Sequence, residues 1–293
     1  MVIRTHGGHY YVQANDTVFD CGVRGRLKQR KSQRDLVVIG DRVRWSPIEQ
    51  RHGIIEQVLT RTSKLSRRLP HSDEEQVLVA NLDQVLVVFA VRNPPLSPFV
   101  LDRYLVACEA AHLPVIIIAN KIDLLPPNAR LHILERYRRI GYECVYTSAE
   151  TGENLDTIRT LVLNRISALV GPSGTGKSSI LNAIWPHVDQ KVGEISDYHD
   201  QGRHTTVVPE LLNPEPGVYI ADTPGLRRFH LWDVDPEQLE AFFPEMEPYL
   251  NECHFATCTH MHEPNCAVRR AVDEGAIDAE RYESYQRLFQ ENA

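Results

Sequence analysis

Residues Gly171-Pro172-Ser173-Gly174-Thr175-Gly176-Lys177-Ser178-Ser179 decide how this chain is read. The apolar run Ile166–Val170 precedes them and reads as a buried parallel strand. Ser179–Trp185 follows and reads as the start of a helix. Gly171, Gly176, Lys177 and Ser178 have the spacing of a phosphate-binding loop. In such a loop glycines let backbone N–H groups crowd round a phosphate, and the helix N-terminus adds partial positive charge. Lys177 is expected to reach the outer phosphates and Ser178 to hold Mg2+; Pro172, Ser173, Gly174, Thr175 and Ser179 complete the expected nucleotide contacts. A Gly-rich turn without a ligand is the bland alternative, and the strand before and helix after argue against it.

A phosphate loop does not choose the base. Asn120-Lys121-Ile122-Asp123 follows a second apolar strand, Val115–Ala119, so it stands at the carboxyl end of a sheet strand, where open α/β sheets bind ligands. The Asp123 carboxylate can accept two hydrogen bonds from the N1–H and N2–H2 edge of guanine. Adenine lacks that edge and would leave a buried carboxylate unpaired. Thr147-Ser148-Ala149-Glu150 follows Cys144–Tyr146, and Ser148 and Ala149 are expected to back the guanine. Asp222-Thr223-Pro224-Gly225 follows Val218–Ala221. Asp222 is expected to hold Mg2+ through water, with the Gly225 N–H at the γ-phosphate. Ordinary GTPases place the phosphate loop first and the base-reading elements last. Here the base-reading elements come first, so the chain reads as a circular permutation, which neighbouring surface termini make physically tolerable.

Between the phosphate loop and Asp222, the polar stretch Lys191–Val208 reads as a switch loop containing Gly202-Arg203-His204-Thr205-Thr206. Thr205 or Thr206 is expected to bind Mg2+ and sense the γ-phosphate. The position after Asp222–Gly225 that carries a water-orienting glutamine in Ras-like enzymes is Leu226, which neither donates nor accepts. His204 is the expected catalytic substitute, with a loop-anchoring surface histidine as the alternative.

The 293 residues suit two or three domains. An apolar share of 42% and a charged share of 24% are those of a soluble globular protein. No run of about 18 apolar residues suggests a membrane span, and Met1–His6 lacks an apolar signal core, so a cytoplasmic location is expected. Residues 1–70 hold 14 Lys and Arg against 6 Asp and Glu, whereas the remainder holds 18 against 33. A basic head on an acidic body suggests that the head meets a polyanion, nucleic acid before a merely solvated charged face.

In the head, His9–Val12, Val18–Cys21, Val23–Lys28, Leu36–Trp45 and Ile54–Leu59 read as short strands of a small barrel, most simply an OB-fold. Lys28–Arg34 is an expected basic loop, and Arg24, Arg26, Arg42 and Arg44 have the period-two spacing of a phosphate-tracking face. Tyr10, Tyr11, Phe19 and Trp45 could stack bases, but most are expected to pack the core. Arg61–Pro70 reads as the joint to the next domain. Beyond it strands over Gln84–Val91, Pro114–Ala119, Glu143–Tyr146 and Ile166–Val170 alternate with helices over Ser97–His112, Asn128–Ile140 and Asn154–Leu163, the pattern of a doubly wound α/β domain. Pro236–Phe243 and Ala279–Gln290 read as helices. Between them Cys253, Cys258, His260 and Cys266 can close a tetrahedral Cys3His site for one structural Zn2+, with His254 and His262 as spare ligands. Such a site leaves no open position for metal catalysis. Arg269 and Arg270 beyond it could add a second nucleic-acid contact.

The order of basic barrel, permuted GTPase and Cys3His segment resembles the bacterial ribosome small-subunit-dependent GTPases, the RsgA/YjeQ family. The resemblance rests on Asn120–Asp123, Gly171–Ser179, Gly202–Thr206, Asp222–Gly225 and the Cys253–Cys266 spacing. It implies an N-terminal OB-fold barrel over 1–69, a circularly permuted P-loop GTPase domain over 70–230 and a zinc-binding helical domain over 231–293. It further implies a late role in small-subunit maturation, binding to 16S-type rRNA near the decoding region, GTP hydrolysis to GDP on the small ribosomal subunit, and participation of His204. The expected protein is a monomer that touches no membrane. One departure is Val207, where the family often carries a third threonine. Two rivals remain. A guanylate-type kinase would share the phosphate loop but not Asn120–Asp123 or Asp222–Gly225. A nucleotide-gated RNA-binding scaffold would use GTP only to set affinity.

Overall fold

The computed structural model describes residues 1–15, 17–25, 36–68, 75–126, 134–188, 209–221 and 234–292. In the head, β1 (Val2–His6), β2 (His9–Ala14), β3 (Thr17–Val23), β4 (Val43–Glu49) and β5 (His52–Val58) form a five-stranded sheet in the order β1-β2-β3-β5-β4. β3 and β5 run parallel and the other neighbours antiparallel. The outer strands approach through the turn before β4: Val2 N donates to Asp41 O at 2.9 Å, and Gly40 N donates to Val2 O at 2.8 Å. Val2, Val12, Cys21, Leu36, Val37 and Ile55 fill the interior, with Tyr10, Phe19 and Trp45 packed against them.

The head departs from the expected strands in three places. β1 was not foreseen, because Val2–His6 lacks a clean alternation. The strand expected over Leu36–Trp45 begins only at Val43. Asp41 explains the delay: its carboxylate accepts from Val38 N at 2.8 Å, closing a turn, and pairs with Arg61 at 2.7 Å. Of the strand expected over Val23–Lys28, Val23 ends β3, and residues 26–35, with the Lys28–Arg34 loop, lie outside the described residues.

Within Arg61–Pro70, Lys64–Arg68 is a strand (β6), paired antiparallel with β7 (Glu75–Ala80) rather than serving only as a joint. Leu65 and Val79 from this hairpin are fully buried in the central core.

The central sheet has the order β10-β9-β8-β11-β13-β12. Its strands are β8 (Gln84–Ala90), β9 (Val115–Asn120), β10 (Glu143–Tyr146), β11 (Arg165–Val170), β12 (Leu211–Leu212) and β13 (Val218–Ala221). All neighbours are parallel except β12 with β13. Period two divides the apolar runs between the faces. Val85, Val87 and Phe89 join Ile117 and Ala119 on one side, under α1 (Pro98–Ala110) and α2 (Glu135–Ile140). Leu86, Val88, Ile116 and Ile118 meet α3 (Leu155–Val162) and α4 (Lys177–Ile184) on the other. Strands buried on both faces are what near-continuous apolar runs require.

The C-terminal segment was expected to open with a helix over Pro236–Phe243. It has instead 3₁₀ turns over Pro236–Phe242 and Pro244–Glu252, then α5 (Ala267–Asp273) and α6 (Ala279–Asn292). Pro244 separates the two turns, and Pro248, inside the second, lacks the donor that an α-helix would use there. Its core is continuous with α1 through Val106.

A buried charge network joins this segment to the central domain. Arg281, wholly inaccessible, donates from Nη1 to Asp102 Oδ1 at 2.7 Å and from Nε to Glu245 Oε1 at 2.6 Å. The Tyr137 hydroxyl donates to the same Asp102 oxygen at 3.0 Å. Burial lifts the Asp102 carboxyl above its ordinary range, against the opposing pull of Arg281. Arg281→Met would leave two buried carboxylates without their cation. It is expected to cost about 3–5 kcal/mol, read as a lowered urea midpoint.

Candidate functional site

β8, β9, β10, β11 and β13 are mutually parallel, so the loops that leave them emerge at one edge of the sheet. The phosphate loop leaves β11 there, Asn120–Asp123 leaves β9 and Thr147–Glu150 leaves β10. Sequence order is permuted, but the spatial cluster is intact. β13 ends at the same edge, with Ala221 in register with Ala168.

Two glycines of the phosphate loop are required by geometry. Gly171 has φ +136°, and a Cβ there would lie 2.1 Å from Val88 O. Gly176 has φ +93°, and a Cβ would lie 2.2 Å from Asn120 Nδ2. The Lys177 ammonium curls back to donate to Gly171 O at 2.9 Å and Pro172 O at 2.7 Å, while the Thr175 hydroxyl donates to Pro172 O at 3.0 Å. Ser173 and Gly174 are exposed at the loop tip; Pro172, Ser178 and Ser179 are half-buried.

Asn120 is buried and joins three loops. Its Nδ2 donates to Thr175 O at 2.9 Å, and its Oδ1 accepts from Ala149 N at 3.2 Å. Lys121, held at φ 65°, extends its ammonium to Gly174 O at 2.8 Å and also to Asn93 O. The Ser148 hydroxyl donates to Asp123 Oδ1 at 2.6 Å and accepts from Thr151 N at 3.1 Å, which fixes the carboxylate plane. The structure therefore brings Asn120, Lys121, Asp123, Ser148, Ala149 and the whole phosphate loop together. His204, Thr205, Thr206, Asp222 and Gly225 lie outside the described residues. Asn93 was not foreseen: it acts through a main-chain carbonyl, which leaves no signature in residue type.

A second cluster stands in the C-terminal segment. One ligand atom each from Cys253, Cys258, His260 and Cys266 lies within 4.8 Å of all the others. Cys253 Sγ and Cys266 Sγ are 3.9 Å apart, and His260 Nδ1 is 3.3 Å from Cys266 Sγ. Such spacings suit a tetrahedral ion with ligand bonds of about 2.0–2.3 Å. The other ring nitrogen of His260 contacts Glu240 Oε2 at 2.6 Å, so a carboxylate orients the imidazole as at metal-bound histidines. Backbone N–H groups of Ala267 and Arg269 point to the Cys253 and Cys266 sulfurs, each at 3.4 Å. These donors suit thiolates, and the donor set fits a structural metal. Glu240 was not legible in sequence, since it lies 20 residues from His260.

Comparison with known proteins follows the same lines. Residues 58–232 match the family model described as RsgA GTPase, and residues 1–55 match that of the RsgA N-terminal domain. A small ribosomal subunit biogenesis GTPase RsgA of Gemmatimonas aurantiaca is 43% identical, over 99% of this chain and 96% of that protein. One from Moorella thermoacetica, with the same description, is 39% identical over 97% and 93%. Among solved structures, YjeQ from Thermotoga maritima is 33% identical with a TM-score of 0.79, covering 99% of this chain and 96% of that one. YloQ, described as a circularly permuted GTPase, is 30% identical with a TM-score of 0.77, covering 99% and 93%.

Gly176→Ala puts a methyl group on Asn120 Nδ2 in a backbone region that costs an L-residue about 1–2 kcal/mol. GDP affinity is expected to fall roughly tenfold or more by calorimetric titration, and the melting temperature to fall by a few degrees, because the folded state carries the strain with or without nucleotide.

Proposed function

The chain belongs to the RsgA family of GTPases, and on that premise we propose that it serves small ribosomal subunit biogenesis, binding that subunit and hydrolysing GTP to GDP and phosphate upon it. The observation that carries this reading is the convergence on one sheet edge of a phosphate loop and a guanine-reading loop, tied by Asn120.

In this reading Asp123, held by Ser148, presents its carboxylate to the N1–H and N2–H2 edge of guanine. Lys121 flanks the base, and Ser148 and Ala149 close behind it. The N–H groups from Gly171 to Ser179 surround the phosphates, and Lys177 exchanges its loop carbonyls for phosphate oxygens. Ser178 and one of Thr205 and Thr206 would hold Mg2+, with Asp222 acting through water; the ion would offset charge on the β- and γ-phosphates. The Gly225 N–H is assigned to the γ-phosphate. His204 is assigned to the attacking water, since Leu226 cannot orient it.

The metal at Cys253, Cys258, His260 and Cys266 is read as one structural Zn2+, with no catalytic part. The head is read as an OB-type barrel. Parallel pairing of β3 with β5 and the hydrogen bonds between Val2 and the Gly40–Asp41 turn support that reading. Arg42 and Arg44 are exposed, as contacts to 16S-type rRNA require. No helix among the described residues is long and apolar enough to cross a membrane. A cytoplasmic monomer that binds nascent small subunits is the proposed working form.

Leu226 favours a second reading, in which the chain is a nucleotide-gated RNA-binding scaffold with little hydrolysis of its own. GTP turnover by the purified protein, alone, with small subunits and with large subunits, separates the two. The proposal expects a rise of about a thousandfold or more with small subunits only, the scale on which a supplied group stabilises phosphoryl transfer. Slow turnover with either subunit would leave the scaffold reading.

A further inference from the structure

The loop that carries His260 is wrapped round one carboxylate. Glu263 Oε1 accepts from Thr259 N at 2.8 Å and from the Thr259 hydroxyl at 2.6 Å. Glu263 Oε2 accepts from Met261 N at 3.1 Å and from His262 N at 3.2 Å. A carboxylate has about four lone-pair sites, so these donors of the loop occupy it fully. The carbonyl of Glu263 is anchored in turn, accepting from Arg269 Nη1 of α5 at 3.3 Å.

His260 needs that support. Its φ is 60°, a left-handed conformation uncommon outside glycine. With that turn the ring lies inward, 1% exposed, and its Nδ1 faces the Cys253 and Cys266 sulfurs at 3.6 and 3.3 Å. His262, two residues on, is exposed, as is His254. From α6 come two hydroxyls: Tyr282 donates to His260 O at 2.5 Å and Tyr285 to Thr259 O at 2.8 Å. Glu263 thus holds the N–H groups that flank His260, and α6 holds the carbonyls. Glu240 meets the imidazole ring alone and leaves the main chain to these partners. An unfavourable turn at a ligand, closed by hydrogen bonds that need no metal, is a preformed arm of the site.

We propose that Glu263 is a positioning residue for the metal: by holding Thr259, Met261 and His262 it presents His260, and not His262, to the three cysteines before the ion arrives. The inference rests on the structural-metal reading of Cys253, Cys258, His260 and Cys266 above. A loop ordered beforehand does not have to be ordered by the ion, so binding is tighter by that saving.

Zn2+ affinity of the full-length chain, measured under reducing conditions by competition with a chromophoric chelator, tests the proposal. The wild-type chain is expected to hold one Zn2+. Glu263→Gln keeps the size of the side chain but leaves one acceptor oxygen in place of two. It is expected to weaken Zn2+ binding roughly 10–100-fold, the scale set by partners that orient metal ligands. In a His260→Ala chain the same substitution is expected to cost less than about threefold, because the residue through which Glu263 acts is gone. Unchanged affinity in Glu263→Gln overturns the inference. So does an equal cost in both backgrounds, which a general loosening of the segment would produce. Hydrogen exchange on the metal-free wild-type chain is a second test that needs no variant. The Thr259, Met261 and His262 amides are expected to exchange at least about tenfold more slowly than in an unstructured peptide. Free-peptide rates at all three overturn the inference. A wild-type chain that takes up no Zn2+ overturns the structural-metal reading, and the inference with it.

Discussion

One side-chain amide holds the nucleotide site together. Asn120 Nδ2 donates to Thr175 O and Asn120 Oδ1 accepts from Ala149 N, so the phosphate loop and both base-reading loops share a single buried group. Both ends of that amide are satisfied, which is what its burial demands. The constraint reaches further. Gly176 must lack a side chain because Asn120 occupies the space, and Gly171 must lack one because β8 does. Permutation changes which loop is made first along the chain, but it does not touch these contacts. Local wiring at the sheet edge is what lets a rearranged sequence keep an ordinary nucleotide site.

The same logic governs how the flanking parts attach. α1 serves two cores, giving Leu101, Tyr104 and Leu105 to the central domain and Val106 to the C-terminal segment. Arg281 then adds a charge network sealed from water between them. Such a network contributes little net stability relative to apolar packing, but breaking it by halves is costly, so it specifies one arrangement of α6 on α1. The head attaches differently, through the β1 pairing with residues 209 and 210, the Asp41–Arg61 pair and the β6–β7 hairpin. One flank is bolted to a helix of the domain's body, and the other to the strand that leaves the switch.

Much of the central domain was legible because its elements carry strong signals. Val115–Asn120 and Arg165–Val170 are apolar on both faces, and each ends on a loop whose residue types are dictated by phosphate or guanine. The four metal-ligand candidates were legible for the same reason: cysteine and histidine at close spacing have few other uses. The head was harder. Val2–His6 forms β1 largely through partners distant in sequence, and the Asp41 turn that interrupts Leu36–Trp45 depends on Arg61, 20 residues away. The β6–β7 hairpin hid behind basic residues whose alkyl stems and alternating neighbours suit a strand. Helix was expected over Pro236–Phe243, where the chain forms a 3₁₀ turn that stops before Pro244. Contacts made by main-chain atoms, such as Asn93 O on Lys121, have no residue signature at all.

In the proposed function, Asp123 and the Asn120 amide make the permuted chain selective for guanine. Calorimetric titration of the full-length protein with GDP and with ADP, both with Mg2+, tests this most directly. GDP is expected to bind at least about a hundredfold more tightly, because adenine offers the Asp123 carboxylate neither the N1–H nor the N2–H2 donor, a loss of about 3 kcal/mol. Equal affinities for the two nucleotides would contradict it.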